Sequence, residues 1–241
     1  RDYFDEVIIS DDGSSEETRI LVESKIKEYS FKIIFITRES KGFEVAATRN
    51  NGIRRASGKY LIFIDCDLTV LPNSFAIHLN NARERNFVIG HCKYLDQENS
   101  KCILENHLNS PQEIIDLYAS ISDEPLIKLE KRQRKLNLFF SLRLHSFRKQ
   151  SLGGHFSIHK EDILKVNGYD ENYEGWGAED ADLGRRLVKS GCRAIAKQSS
   201  AKVLHLWHQR ELSSENWKNG KNINYFERKK INSYCKNGLE K

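Results

Sequence analysis

The sequence predicts an α/β fold built on a parallel sheet with right-handed crossovers. Three observations carry that reading. Short apolar runs alternate with helical patterns through the first ninety or so residues. Two of those runs end abruptly in paired aspartates, "IISDD" and "FIDCD". No apolar run approaches the roughly 18–20 residues that a membrane span needs.

The elements follow in order. "EVIIS" (Glu6–Ser10) reads as a buried strand, and Ser14 and Glu17 behind it are spaced as a capping box. A helix follows to about Tyr29, with Ile20, Val22, Ile26 and Tyr29 among its apolar positions. "KIIFIT" is a second strand, and "EVAATRNNGIRRAS" is a helix weakened by Gly52. "KYLIFID" is a third strand. "PNSFAIHLNNARER" is a helix with Pro72 near its first turn, and "NFVIG" is a fourth strand. From about Lys93 to Gln150 the rhythm lapses. The stretch "KLEKRQRKLNLFFSLRLHSFRKQ" (128–150) mixes cations with Leu and Phe. It reads as a helix with one core face and one solvated face, or as a basic amphipathic surface for anionic lipid or a lipid-carried acceptor. "GGHFSIHKEDILKVNGYDENYEGWGAEDADLGRRLVKSG" then reads as strand, short helix, glycine-aromatic loop and helix. "CRAIAKQ" and "AKVLHLWH" are strands, and Trp217, Tyr225 and Phe226 are the expected anchors of a polar tail.

Composition narrows the classes. A net charge of +5 suits anionic partners without choosing among nucleotides, phospholipid and nucleic acid. Five widely spaced cysteines, with no C-x-x-C pair, fit free thiols in a reducing compartment better than a zinc site or a disulfide framework. The chain has no methionine, so Arg1 is not expected to be a translation start.

Four constellations could carry chemistry. In "DCD", Asp65 and Asp67 share a face on an extended backbone, with Cys66 turned into the fold. Carboxylates at a strand's carboxyl end suit Mg²⁺ or Mn²⁺ holding a diphosphate, though acidic turns are common there. In "DDGSS", Asp11 and Asp12 supply either turn chemistry or a contact to a nucleotide base or ribose. In "EGWGAEDADL", Glu179 and Asp180 open a helix, where carboxylates are ordinary. The glycine-flanked Trp176 is not ordinary; beside the acids it suits a sugar. In "VLHLWH", His205 and His208 face opposite sides of a strand, so they share one metal only if the strand ends between them.

In combination, "IISDDGS", "GFEVAATRNNGIRRASGKYLIFIDCD", the run from Gly153 to "GRRL" and "VLHLWH" resemble the inverting glycosyltransferases of the GT-A fold. More closely, they resemble glycosyltransferase family 2 with the galactosyltransferase-type C-terminal half that bacterial chondroitin polymerases and β-1,4-galactosyltransferases share. The resemblance implies an α/β, Rossmann-like mixed sheet flanked by helices. It implies a nucleotide-sugar-binding half over 1–92, an acceptor-binding and catalytic half of the same domain over 93–210, and a basic tail over 211–241. It implies that Asp12, Asp11, Arg49 and Asp65 bind the nucleotide and that Asp67 and His205 bind Mn²⁺ or Mg²⁺. Gly153, Gly154, Trp176 and Glu179 would face donor sugar and acceptor, with Asp180 as catalytic base beside Glu179. The family's strand and helix before "DDGS" are expected upstream of Arg1.

The activity so implied is metal-dependent, inverting transfer from a nucleotide-sugar, UDP-linked, to a hydroxyl of a glycan or lipid-linked acceptor in surface-polysaccharide synthesis. The expected setting is cytoplasmic and peripheral at the inner membrane face, with 128–150 as the membrane contact and no nucleic-acid partner. A nucleotidyltransferase of related fold is the first rival; its glycine-rich basic loop does not occur in the chain. An inactive sugar-nucleotide-binding module is the second, and the intact acids argue against it.

Overall fold

Strand direction follows the expected alternation, but strand adjacency does not. The computed structural model describes residues 4–39, 42–105, 110–142, 152, 155–175, 177–209, 221–228 and 230–241. Strand β1 (Glu6–Ser10) pairs in parallel with β2 (Lys32–Ile36), and α1 (Glu16–Ile26) connects them. Helix α1 ends short of Tyr29 and leaves Ile20 and Leu21 exposed. The expected capping box does not form. Ser15 is the N-cap, and the Ser14 hydroxyl is taken by Asp11 instead.

The principal sheet has the order β3–β7–β5–β8, formed by Tyr60–Ile64, His155–His159, Asn86–Ile89 and Arg193–Ala196. Strand β7 is antiparallel to both neighbours, while β5 and β8 are parallel. The sheet is therefore mixed. Strands β3 and β5 run the same way, as the alternation requires, but β7 from the second half lies between them. Local pattern sets a strand's direction and burial; which strand inserts beside it depends on long-range pairing. Helix α3 between them spans only Ser74–Asn80, after Asn73 in the left-handed region at φ 68°. A three-stranded sheet, β4 (Leu68–Val70), β9 (Lys202–His205) and β6 (His91–Tyr94), sets β4 and β9 antiparallel. Residues 1–92 and 93–210 thus contribute strands to the same sheets.

The main core lies between the four-stranded sheet and helices α2 (Val45–Arg55), α7 (Lys160–Leu164) and α8 (Glu179–Lys189). Phe63 and Phe156 stack at 4.5 Å between centroids across β3 and β7. Gly52, the weak point expected of α2, faces Ser10, where an added Cβ would make ordinary contact at 3.6 Å. A second cluster places Tyr118 of α5 (Pro111–Ser120) against Leu71, Leu95 and Leu204. Helix α4 (Gln97–Leu104) adds Ile103 to it. Beneath the sheet the Tyr60 hydroxyl, the Ser157 hydroxyl, His78 and His155 form a continuous hydrogen-bonded chain. Burial pushes His78 down to about 3 and His155 down to about 4, so both rings are neutral. No helix among the described residues is long and apolar enough to cross a membrane.

One buried charge network sets the pose of α8. Asp182 is wholly buried and accepts from Tyr173, Arg185 and Arg186. Arg228, just past α9 (Lys221–Phe226), adds a fourth partner at 3.2 Å. The chain end is therefore no loose tail where it is described: Phe226 lies under Arg185, and Leu239 packs on the main core. Trp217 lies outside the described residues. Burial alone would raise the Asp182 carboxyl, but Arg186 and Arg185 hold it below the usual range. That stabilisation is complete above the ordinary aspartate value of about 3.9 and is lost as pH falls through the lower folded value. Asp182→Asn leaves buried guanidinium uncompensated. It is expected to destabilise the protein by about 3–5 kcal/mol at neutral pH, read by urea denaturation.

Candidate active site

Three successive residues of α2 organise the site. Thr48 donates to Asp12 at 2.7 Å, and Asp12 also accepts from the Glu44 backbone at 2.7 Å and from Arg38 at 2.9 Å. Asn50 exchanges two 2.9 Å bonds with the backbone of Tyr169, which clamps the loop before α8. Between them, Arg49 donates to Asp65 at 2.7 Å and to Asp180 at 2.6 Å. Its guanidinium also lies 3.3 Å from the Tyr169 hydroxyl, which itself donates to Asp180 at 3.0 Å. An arginine fork can serve two carboxylates at once because its donors are planar and fixed. Asp11 is differently occupied. It accepts from Gly13, Ser14 and Thr37, and these bonds overcome its burial and hold the carboxyl below its usual range.

The two aspartates of "DCD" do not lie on an extended strand. Strand β3 stops at Ile64, and the Leu68 amide bonds back to the Asp65 carbonyl at 3.2 Å. The resulting turn sends Asp65 to Arg49 and Asp67 to the histidines. It also corrects the expected position of Cys66, which is exposed rather than turned into the fold. Side-chain alternation applies only while the backbone stays extended.

Strand β9 ends at His205, so the condition for two convergent histidines is met. Asp67 Oδ2 lies 3.3 Å from His205 Nε2 and 3.4 Å from His208 Nε2. The three ligand atoms all fall within 4.8 Å of one another. Each ring's Nδ1 faces a carbonyl, that of Leu206 at 2.7 Å and that of Gln209 at 3.3 Å. A carbonyl only accepts, so each Nδ1 carries a proton, and each Nε2 is left facing Asp67. Two imidazole nitrogens and a carboxylate oxygen converging in this way are a set that could hold a cation. Asp67 Oδ1 is buried without a hydrogen-bond partner, which fits the same conclusion. Tyr94 flanks the His205 ring at 4.8 Å.

Helix α8 opens with Glu179 and Asp180. The residue before them, Ala178, is left-handed at φ 73°, and this turns the first two carboxylates inward. Glu179 keeps only 6% of its exposure, and its Oε2 has no partner. Burial, reinforced by the Asp180 carboxylate, pushes Glu179 up to about 7. Burial also pushes Asp180 up, against the Arg49 guanidinium that holds it down.

The structure thus joins Arg49, Asp65 and Asp180 directly, sets Asp67 with both histidines across one turn, and ties Asp11 to its own turn and to Thr37. Gly153, Gly154 and Trp176 lie outside the described residues. Sequence reading missed Tyr169 and Tyr94 and left His208 open. No spacing could have found the tyrosines, since only folding brings Tyr169 and Tyr94 to their partners.

The family model described as "Glycosyl transferase family 2" matches residues 1–152. The chain belongs to glycosyltransferase family 2. A second model, "N-terminal domain of galactosyltransferase", matches residues 134–209 of this family 2 chain. The chain is 32% identical over 200 residues to a chondroitin synthase of Pasteurella multocida, covering 78% of the chain and 20% of the synthase. It is 31% identical over 202 residues to the validoxylamine A glucosyltransferase of Streptomyces hygroscopicus subsp. jinggangensis, covering 81% of the chain and 46% of that enzyme. The family 2 chain therefore spans less than half the length of these relatives. In fold it is similar to the Pyrobaculum calidifontis mannosyltransferase solved with GDP-Man and Mn²⁺. The TM-score is 0.56 at 14% identity, over 90% of this chain and 52% of that one. It is equally similar to GalNAc-T7 solved with UDP, GalNAc and Mn²⁺, at TM-score 0.56 and 15% identity, over 86% and 38% of the two chains. The GT-A fold expected from the motifs is the fold observed.

Two outcomes follow from this geometry. The folded state keeps the Glu179 proton up to about pH 7, whereas an unfolded glutamate loses it near about 4.3, so stability falls as pH rises through that window. Glu179→Gln mimics the protonated form. It is expected to gain about 1–3 kcal/mol on wild type at pH 8 and little at pH 5, measured by urea denaturation. For the triad, His208→Ala is expected to weaken Mn²⁺ binding as strongly as His205→Ala does. Each loss should exceed about 100-fold in calorimetric titration, the upper end of what a mere supporting partner costs.

Proposed function

We propose that this chain is the catalytic unit of a metal-dependent, inverting glycosyltransferase. It moves a sugar from a nucleoside diphosphate sugar, UDP-linked, to a hydroxyl of a glycan or lipid-linked acceptor. The observation that carries this reading is the Arg49 bridge between Asp65, one turn from the Asp67–His205–His208 triad, and Asp180 at the start of α8. It ties the strand end expected to hold the nucleotide to the residue expected to act as base.

In the proposed reaction Asp180 receives the proton of the acceptor hydroxyl. As that proton leaves, the acceptor oxygen bonds to the anomeric carbon from the face opposite the diphosphate. The bond from that carbon to the diphosphate oxygen breaks, and the electron pair leaves with the nucleoside diphosphate. Tyr169 and Arg49 hold the Asp180 carboxylate in one orientation, which supports this role. Glu179, buried beside it with an unpartnered oxygen, is suited to hydrogen-bond a second acceptor hydroxyl. Asp67, His205 and His208 would hold the metal, whose chemistry when bound is to offset charge on the leaving diphosphate. Two imidazoles in the set favour Mn²⁺ over Mg²⁺, which prefers oxygen ligands throughout.

The sequence relatives named as chondroitin synthase and glucosyltransferase support a hexose-type sugar donor and, for the former, polysaccharide synthesis as the setting. The five free cysteines support a cytoplasmic, reducing compartment. The test is a thermal-shift screen of UDP- and GDP-linked sugars with and without Mn²⁺, followed by product analysis. Asp180→Asn is expected to keep Mn²⁺-dependent donor binding while transfer falls by on the order of 10²–10⁴-fold. Near-normal turnover in that variant would remove Asp180 from the role of base.

A further inference from the structure

Helix α6 (Glu124–Ser141) turns polar side chains to the protein and cations with large apolar groups to solvent. On its inner face Glu130 and Gln133 are buried beside Leu126. Asn137 donates to the Ala194 carbonyl of β8 at 2.7 Å. Glu130 accepts from the Ser199 amide at 3.1 Å and from the Ser199 hydroxyl at 2.5 Å. These bonds fix the helix about its axis. The outer face then carries Ile127, Lys131, Arg134, Leu138 and Leu142 in one stripe at helical spacing, flanked by Lys128, Arg132 and Lys135. Leu138 and Leu142 are 57% and 55% exposed, and Ile127 is 41% exposed. Lys128 pairs with Glu124 and Arg134 with Glu130. Lys131 and Arg132 have no ion pair among the described residues.

We propose that this outer face docks on an anionic lipid bilayer. The occupant follows from two properties held together on one surface. Cations at the helix surface are attracted by the negative potential of anionic headgroups. Large apolar groups among them gain only where hydrocarbon is within reach, as it is just below the headgroups. Nucleic acid would satisfy the charges but would leave Leu138 and Leu142 in water. Because α6 is fastened to β8 and to Ser199, docking of the helix is docking of the domain. The inference concerns binding alone and stands whether or not the chain transfers sugar.

Cosedimentation with phosphatidylcholine vesicles, with and without a fraction of phosphatidylglycerol, tests it on the whole chain. Binding is expected only to the anionic vesicles and should weaken with salt. The triple variant Lys131→Gln, Arg132→Gln, Lys135→Gln should bind about 100-fold more weakly, since each cation near such a surface contributes about fivefold. The double variant Leu138→Ser, Leu142→Ser should also weaken binding, through the part that salt does not remove. All five positions are exposed, so unchanged melting temperatures are expected and confirm that the variants fold. Equal binding to neutral and anionic vesicles overturns the proposal, and so does an unaffected triple variant. Displacement by a generic oligonucleotide, with no effect of the leucine substitutions, overturns it in favour of nucleic acid.

Discussion

The site depends on one guanidinium. Arg49 holds Asp65, sixteen residues away, and Asp180, 131 residues away, within a single fork. Without that charge two carboxylates would approach each other in a partly buried space, which costs several kcal/mol in order of magnitude. With it, the end of β3 and the start of α8 are locked together. The neighbours of Arg49 on α2 extend the same work: Thr48 reaches Asp12 and Asn50 clamps the backbone of Tyr169. One helical turn therefore sets the relative position of three loops.

Around this turn the protein uses two kinds of rigidity. The β3–β7 pairing and the Phe63–Phe156 stack give an apolar frame. The Asp182 network gives a charged frame under α8, and the arginines that satisfy it come from α8 itself and from the region after α9. The first frame positions strand ends. The second orients the helix whose first turn carries Glu179 and Asp180. A site that needs carboxylates with raised proton affinity benefits from this separation. Asp65, Asp180 and Asp182 are each matched to a named arginine, while Glu179 keeps a buried oxygen without a partner.

Much of this was legible along the chain, because the decisive signals are local. Apolar runs marked the strands. The acids after β1 and β3 marked their carboxyl ends. The order of "DDGS", "DCD", "GWGAED" and "VLHLWH" identified the family before any coordinates. Local rules also failed in recognisable ways. Ser14 could serve a helix cap or Asp11, and its hydroxyl bonds Asp11. Alternation at Cys66 ended because the backbone turned at Asp65.

By itself, then, the sequence determined the element order, the acidic strand ends, the candidate acids of α8 and the family. Those properties rest on periodicity and on residue type, which a linear chain carries. Tertiary structure alone decided that β7 enters between β3 and β5, that His208 joins His205 on Asp67, and that α6 presents its cations and leucines outward. Each of these turns on a pairing between residues distant in sequence. A helix or strand pattern states which residues share a face, not what that face will meet.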